Sequence, residues 1–211
     1  MNLASKEFET YSNRVELIQE INSGVGVEVG VFKGEFSKTI MENWNGTLYM
    51  VDVWDSLPKN EYIDSSNHGK FNENEIYSAA INNIKGYEDR AIMIRAKSEI
   101  ASRMFDDNSL DFVYIDANHA YDYVIQDINL WYPKVKSGGY VCGHDYLLYI
   151  DYNDPNGNKR DNGKDVNIYG YDGKYWGVFG VNPAVDEFCI ANGYQPYVTR
   201  EQHGTWYFNK K

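Results

Sequence analysis

The run Val25-Gly26-Val27-Glu28-Val29-Gly30-Val31-Phe32-Lys33-Gly34-Glu35-Phe36-Ser37 constrains the fold more than any other stretch of the chain. A short apolar segment rich in β-branched residues ends in an acid and two glycines, and a helical pattern opens at about Phe36. This reads as a buried parallel strand, a tight turn and a helix start. The turn is expected to present backbone N–H groups and the positive helix end to a cleft, where something negative should sit. A dinucleotide wants G-x-G-x-x-G there to seat its pyrophosphate. The spacing here is Glu28-x-Gly30-x-x-x-Gly34, and a carboxylate at the strand end would repel a pyrophosphate. It suits a ligand with a cationic part and one small anion.

The rest of the chain alternates the same two patterns. Strands are predicted over 25–30, 47–54, 91–96, 110–116 and 140–143, and helices over 35–43, 73–84, 98–105 and 121–135, with Ser137-Gly138-Gly139 ending the last helix. Such alternation implies an α/β fold with a parallel sheet and right-handed crossovers. Residues 1–24 hold a covering helix (6–22), with Phe8, Tyr11, Val15, Leu17, Ile18 and Ile21 on one face. Segment 55–72 is polar and long for a compact domain, which marks a functional lid. Segment 146–180 is rich in Tyr, Asp, Asn and Gly, with Trp176, and reads as an insertion that binds the acceptor. A helix over 183–191 and a hairpin of 193–198 with 205–208 close a single domain, 1–211.

Composition narrows the partners. The 211 residues carry a formal charge of −11, the reverse of a nucleic-acid footprint. No apolar run approaches the ~18 residues of a membrane span, and the N-terminus has no signal-peptide core. Cys142 and Cys189 stand apart in apolar surroundings and read as buried thiols, implying a reducing, cytoplasmic setting.

Polar residues recur at the strand ends: Glu28, Asp52, Ser98 just past the third strand, and Asp116. In an open α/β sheet these share one crevice, and Asp52 stands roughly 20 residues beyond Gly30, where an acid commonly takes ribose hydroxyls. S-adenosylmethionine (SAM) has the required charges: a sulfonium, an ammonium and a single carboxylate. Glu28-x-Gly30-x-x-x-Gly34 resembles the first motif of class I SAM-dependent methyltransferases. Ile115-Asp116-Ala117-Asn118-His119-Ala120-Tyr121, Trp131-x-Pro133, Lys136-Ser137-Gly138-Gly139 and Gly143-His144-Asp145-Tyr146 resemble a bacterial and viral branch of that class, close to the macrocin-type sugar O-methyltransferases. The resemblance covers roughly residues 10–208 and implies a Rossmann-like, seven-stranded, mostly parallel sheet with an antiparallel terminal hairpin. It also implies a SAM site. Gly30, Val31, Phe32, Gly34 and Ser37 would face the methionine part, and Glu28 would hold its ammonium or a water. Asp52 would take the ribose, Val53 and Trp54 an adenine face, and Ser98 the adenine edge, while Asp116 and His119 would border methyl transfer.

Methyl transfer needs an aligned acceptor oxygen and a base. Relatives of macrocin type bind a divalent ion with acids after the fourth and fifth strands. Asp116 and Asp145 keep carboxylates there, whereas His144 replaces an acid and Asn118 stands where a base has been proposed. Asp116, His144 and Asp145 are therefore expected to hold Mg or Mn, with the mixed donors tilting toward Mn. Asp116, His119 and His144 are the catalytic candidates, either imidazole serving as base; alternatively His119 caps a helix and His144-Asp145 is a structural pair. His68 and His203 read as surface residues, and Asp122 and Asp127 as a solvated helix face. The expected activity is O-methylation of a sugar or glycan hydroxyl, in one module of a larger glycan-modifying protein. Other readings are methylation of a phenol or catechol, a hydroxylase-like metal site, a non-catalytic SAM- or glycan-binding module, and a NAD oxidoreductase, which Glu28 disfavours. No N-P-P-Y/F tetrad of amino-methylating enzymes is present. The oligomeric state is not legible.

Overall fold

Val25–Val29 (β1) is the strand about which the sheet grows, flanked on one side by Thr47–Asp52 (β2) and on the other by Leu110–Ile115 (β4), both parallel to it. Ala91–Arg95 (β3) extends the sheet beyond β2, and Val135–Gly143 (β5) extends it beyond β4. Trp206–Asn209 (β9) then runs antiparallel to β5 and pairs with the short Tyr197–Val198 (β8). The order is β3-β2-β1-β4-β5-β9-β8, the expected seven-stranded, mostly parallel sheet closed by an antiparallel hairpin. This computed structural model describes residues 11–58, 62, 72–148, 159–169 and 175–211, except for the side chains of Tyr175 and Trp176.

Strand alternation sorts the core into two layers. Val27, Val29, Val113, Ile115 and Val141 face a helix of residues Tyr121–Trp131 (α5) and another of Val181–Asn192 (α6), where Ile128, Trp131 and Val185 are fully buried. Leu48, Met50, Phe112 and Tyr114 face Arg14–Glu20 (α1), Glu35–Asn43 (α2) and Glu73–Asn83 (α3), against Leu17, Ile18, Ile40 and Ala80. Glu28 points into this second, apolar layer. Gly26 is required beneath Phe112, whose ring would lie 2.2 Å from an added Cβ.

Several boundaries differ from the sequence reading. Among the described residues the covering helix spans only Arg14–Glu20, with Tyr11 and Ser12 before it and the Asn13 side chain capping it by accepting from Val15 and Glu16 N–H; residues 1–10, with Phe8, lie outside the described residues. Segment 98–105 divides into a short helix, Ser98–Ala101 (α4), and a 3-10 turn, Ser102–Met104. Ser137-Gly138-Gly139 does not end a helix but lies within β5, at a register shift against β4 that lets the strand turn onto its neighbour. Segment 146–180 contains a two-stranded sheet, Val166–Tyr169 (β6) with Tyr175–Phe179 (β7). Residues 149–158 and 170–174 of that segment and most of the lid (59–61 and 63–71, with His68) lie outside the described residues. Cys142 and Cys189 are buried free thiols, and no helix among the described residues is long and apolar enough to cross a membrane.

Candidate functional site

The carboxyl ends of β1, β2 and β4 and the segments after β3 and β5 surround a cavity of about 520 Å³, within the range of small-molecule sites. Glu28, Gly30, Val31, Phe32, Asp52, Val53, Ser98, Asp116, His119 and His144 line it, whereas Gly34, Ser37 and Asp145 lie behind or beside its wall.

The turn after β1 is built differently from the expectation of amides open to a ligand. The Asp52 carboxylate accepts from the Val31 and Phe32 N–H groups at 2.9 and 2.8 Å, and from Trp54 N–H at 2.8 Å. The anion that the turn calls for is thus supplied by the chain itself. Trp54 lines the cavity but is only 2% exposed, so it offers little open ring to an adenine. Its indole N–H donates to the Phe32 carbonyl at 2.9 Å, and its ring meets Tyr77 edge-on. Phe32 and Trp54 both have positive φ, 50° and 43°, a cost that places strain at this corner. Gly30 (φ +90°) lies against the Asp116 carbonyl, which would be 2.1 Å from an added Cβ. Ser37, inside α2, donates its hydroxyl to the buried Glu28 carboxyl.

Beyond β4 and β5 the titratable residues converge. His119 Nε2 lies 3.0 Å from Asp145 Oδ2 and 3.5 Å from Asp116 Oδ1, and His144 Nδ1 lies 3.5 Å from Asp145 Oδ1 and 3.7 Å from Asp116 Oδ2. The His119 ring stacks on Phe179 at 4.6 Å with a 2° interplanar angle, so β7 fixes its plane. The start of α5 is tied instead by Asn118 and Asp165, which accept from Ala120 and Tyr121 N–H; His119 is therefore not that helix's cap. Burial opposes the Asp145 charge, but hydrogen bonds from His119, His144 and His203 outweigh it and hold the carboxyl well below its ordinary pKa. Burial likewise opposes a charged His144, yet Asp145 and Asp116 raise its pKa above the ordinary imidazole value. One ligand atom each from Asp116, His144 and Asp145 can be chosen so that all lie within 4.8 Å of one another, a donor set of two oxygens and one nitrogen that fits a divalent ion.

A family profile described as "Methyltransferase domain" matches residues 27–146, from the middle of β1 through the His144-Asp145 segment. The chain belongs to this methyltransferase family. An uncharacterized protein of Acanthamoeba polyphaga mimivirus is 33% identical over 125 residues, 58% of this chain and 52% of the viral protein. The methyltransferase chain thus spans about half the length of that relative. A candidate caffeoyl-CoA O-methyltransferase from Staphylococcus aureus superposes with a TM-score of 0.64 at 15% identity, covering 94% of this chain and 81% of that one. The O-methyltransferase NovP gives 0.57 at 15% identity, covering 94% and 79%. At these identities the two structures establish the fold.

Three residues of this methyltransferase enter the site without having been expected there. Asp127 is not on a solvated face: it is 6% exposed, lines the cavity and accepts from Ser98 Oγ at 2.5 Å, while Ser98 accepts from Trp131 Nε1. Burial pushes its pKa up to about 7, against the Ser98 hydrogen bond. His203 is not a bystander on the surface: its Nδ1 lies 3.2 Å from Asp145 Oδ1. Asp145 and His203 both have positive φ, 59° and 55°, so backbone strain aims both into one cluster. Arg14, from the start of α1, lines the cavity beside Glu28 and Asp116.

Burial pushes the Glu28 carboxyl up to about 8, against the lowering effect of Ser37. A carboxyl held above its unfolded-state pKa favours folding while protonated. Its contribution is complete below about 4.5 and vanishes as the pH rises through about 8. The thermal midpoint is therefore expected to fall between pH 5.5 and 8, and Glu28→Gln should flatten that decline. Parallel curves for the two proteins would show that Glu28 does not titrate in this window.

Proposed function

We propose that this domain is a SAM-dependent O-methyltransferase that methylates a hydroxyl of a sugar or glycan, assisted by a divalent ion held by Asp116, His144 and Asp145. The convergence of two carboxylates and two imidazoles beside a cavity that the turn of Glu28, Gly30, Val31 and Phe32 also lines carries this reading. SAM supplies an electrophilic methyl on a sulfonium, and a divalent ion, when bound, favours ionisation of an acceptor hydroxyl. The chain's own residues do the rest. Glu28 faces the cationic amino-acid end. Asp52 holds the turn and, still lining the cavity, can accept from ribose hydroxyls. Ser98 and Asp127 form the polar wall at the adenine end.

His119 is the proposed base. Its ring is clamped between Phe179 and two carboxylates, which orient it and stabilise the imidazolium formed when it takes the acceptor proton. With the donor bound, the acceptor oxygen would attack the methyl carbon in line, the new O–C bond forming as the C–S bond breaks and the thioether of S-adenosylhomocysteine leaves. The sugar assignment rests on the composition of segment 146–180, where tyrosines are interleaved with Asp and Asn. Carboxylates and amides are residue types that suit sugar hydroxyls, and tyrosine rings suit sugar C–H faces.

Transfer from labelled SAM to a panel of glycans and catechols tests the acceptor, and transfer to catechols alone would reject the sugar reading. After chelation, activity is expected to fall at least about 100-fold and to return with Mn. Full activity in EDTA, without gain on adding ion, would remove the metal from the proposal.

A further inference from the structure

Asp52 occupies the place where the turn could have received an anion, because its carboxylate already holds the Val31 and Phe32 amides. A ligand that ends in both an ammonium and a carboxylate must therefore meet its cation elsewhere on the cavity wall. Arg14 stands in the right place. It lines the cavity together with Glu28, Phe36 and Asp116, and its charge reaches the Glu28 carboxyl. The wall thus sets the Glu28 carboxyl, which burial keeps protonated until a cation approaches it, beside a guanidinium, and the pair complements a zwitterion once an ammonium has displaced that proton.

The guanidinium is also held in position. Its central carbon lies 4.5 Å from the centroid of the Phe36 ring, which fixes one face. Its Nε lies 3.8 Å from Glu201 Oε2, and the Arg14 backbone N–H donates to Glu201 Oε1 at 3.0 Å, which ties the start of α1 to the β8–β9 turn. The guanidinium also hydrogen-bonds the buried Tyr114 hydroxyl and is drawn toward Asp116, so ring, acid and hydroxyl fix a planar fork whose remaining N–H groups can take a carboxylate. The two lysines on the wall are placed otherwise: Lys33 Nζ lies 5.4 Å above the Phe32 ring, and Lys97 adjoins Ser98 at the adenine end.

We propose that Arg14 binds the carboxylate of the methionine part of the methyl donor, opposite Glu28, and makes the site selective for a zwitterionic amino-acid end. This rests on SAM being the donor.

Calorimetry with three ligands separates the two claims: SAM, decarboxylated SAM, which lacks the carboxylate, and 5′-methylthioadenosine, which lacks the whole amino-acid end. The wild-type domain is expected to prefer SAM over decarboxylated SAM by about 10- to 100-fold, the range of a charge-assisted hydrogen bond. Arg14→Met should abolish that preference by weakening SAM alone, and Arg14→Lys should keep part of it. Binding of 5′-methylthioadenosine should change by no more than about twofold, which also reports that the variant is folded. The proposal is overturned if Arg14→Met weakens all three ligands alike, which marks a structural role. It is equally overturned if SAM affinity stays unchanged while the acceptor KM rises, which assigns Arg14 to the acceptor. Should Arg14→Met fail to fold, a wild-type domain that does not distinguish SAM from decarboxylated SAM overturns it. A wild-type domain that binds none of the three refutes the donor itself, and this inference with it.

Discussion

Asp145→Asn is expected to lower methyl transfer by about 10²- to 10⁴-fold, the range lost with acid–base machinery. The Asp145 carboxylate lies within 3.0 to 3.5 Å of His119, His144 and His203, and it is one of the three residues that can hold an ion. Asparagine keeps the shape and accepts the positive φ of 59° that this position requires. It cannot orient three imidazoles as an anion does, and it is a poor ligand for a divalent ion. Turnover with labelled SAM checks the loss, with binding of the demethylated product as the control for an intact cavity. Activity within tenfold of wild type would remove Asp145 from the chemistry.

Gly30→Ala is expected to destabilise the fold by about 3–5 kcal/mol, as overpacking and backbone strain add, and to abolish donor binding. The added Cβ would lie 2.1 Å from the Asp116 carbonyl and 2.6 Å from Ala117 Cα, at φ +90°. Both neighbours are backbone, so relief requires moving the end of β4, which carries Asp116 into the cavity wall. Gly138→Ala is the matched control, since φ there is +81° but nothing lies within 4 Å of the new atom. That variant should lose only about 1–2 kcal/mol, the left-handed penalty. Equal thermal midpoints for the two variants would mean that Gly30 is not held against β4.

The central strands and the turn were legible because their signals are local. A β-branched run, an acid and two glycines fix β1 and its exit without reference to the rest of the chain. The β6–β7 hairpin was not, because its short strands lie among Asp, Asn and Gly. Long-range ties hold it: Asp165 accepts from Tyr121 N–H, and Gly180 N–H donates to the His119 carbonyl. His203 was hidden for a similar reason. It meets Asp145 only because β9 pairs antiparallel with β5, with Trp206 opposite Gly143. The expected terminal hairpin, 193–198 with 205–208, gave no register against β5, so it could not carry 203 toward 145. Two other residues left a readable trace. Asp127 shares the helical face of Val124, Ile128 and Trp131, and Arg14 that of Leu17, Ile18 and Ile21. Both are inward positions of a 3.6-residue period, although their polar side chains suggested solvent.

Titrating the domain with S-adenosylhomocysteine and, separately, with NAD tests the account most directly, because both ligands contain adenosine and only one carries a pyrophosphate. An acid-rimmed cavity whose turn is already filled by Asp52 should bind the former at one site per chain and leave the latter unbound. Equal affinity for both, or binding of NAD alone, would contradict it.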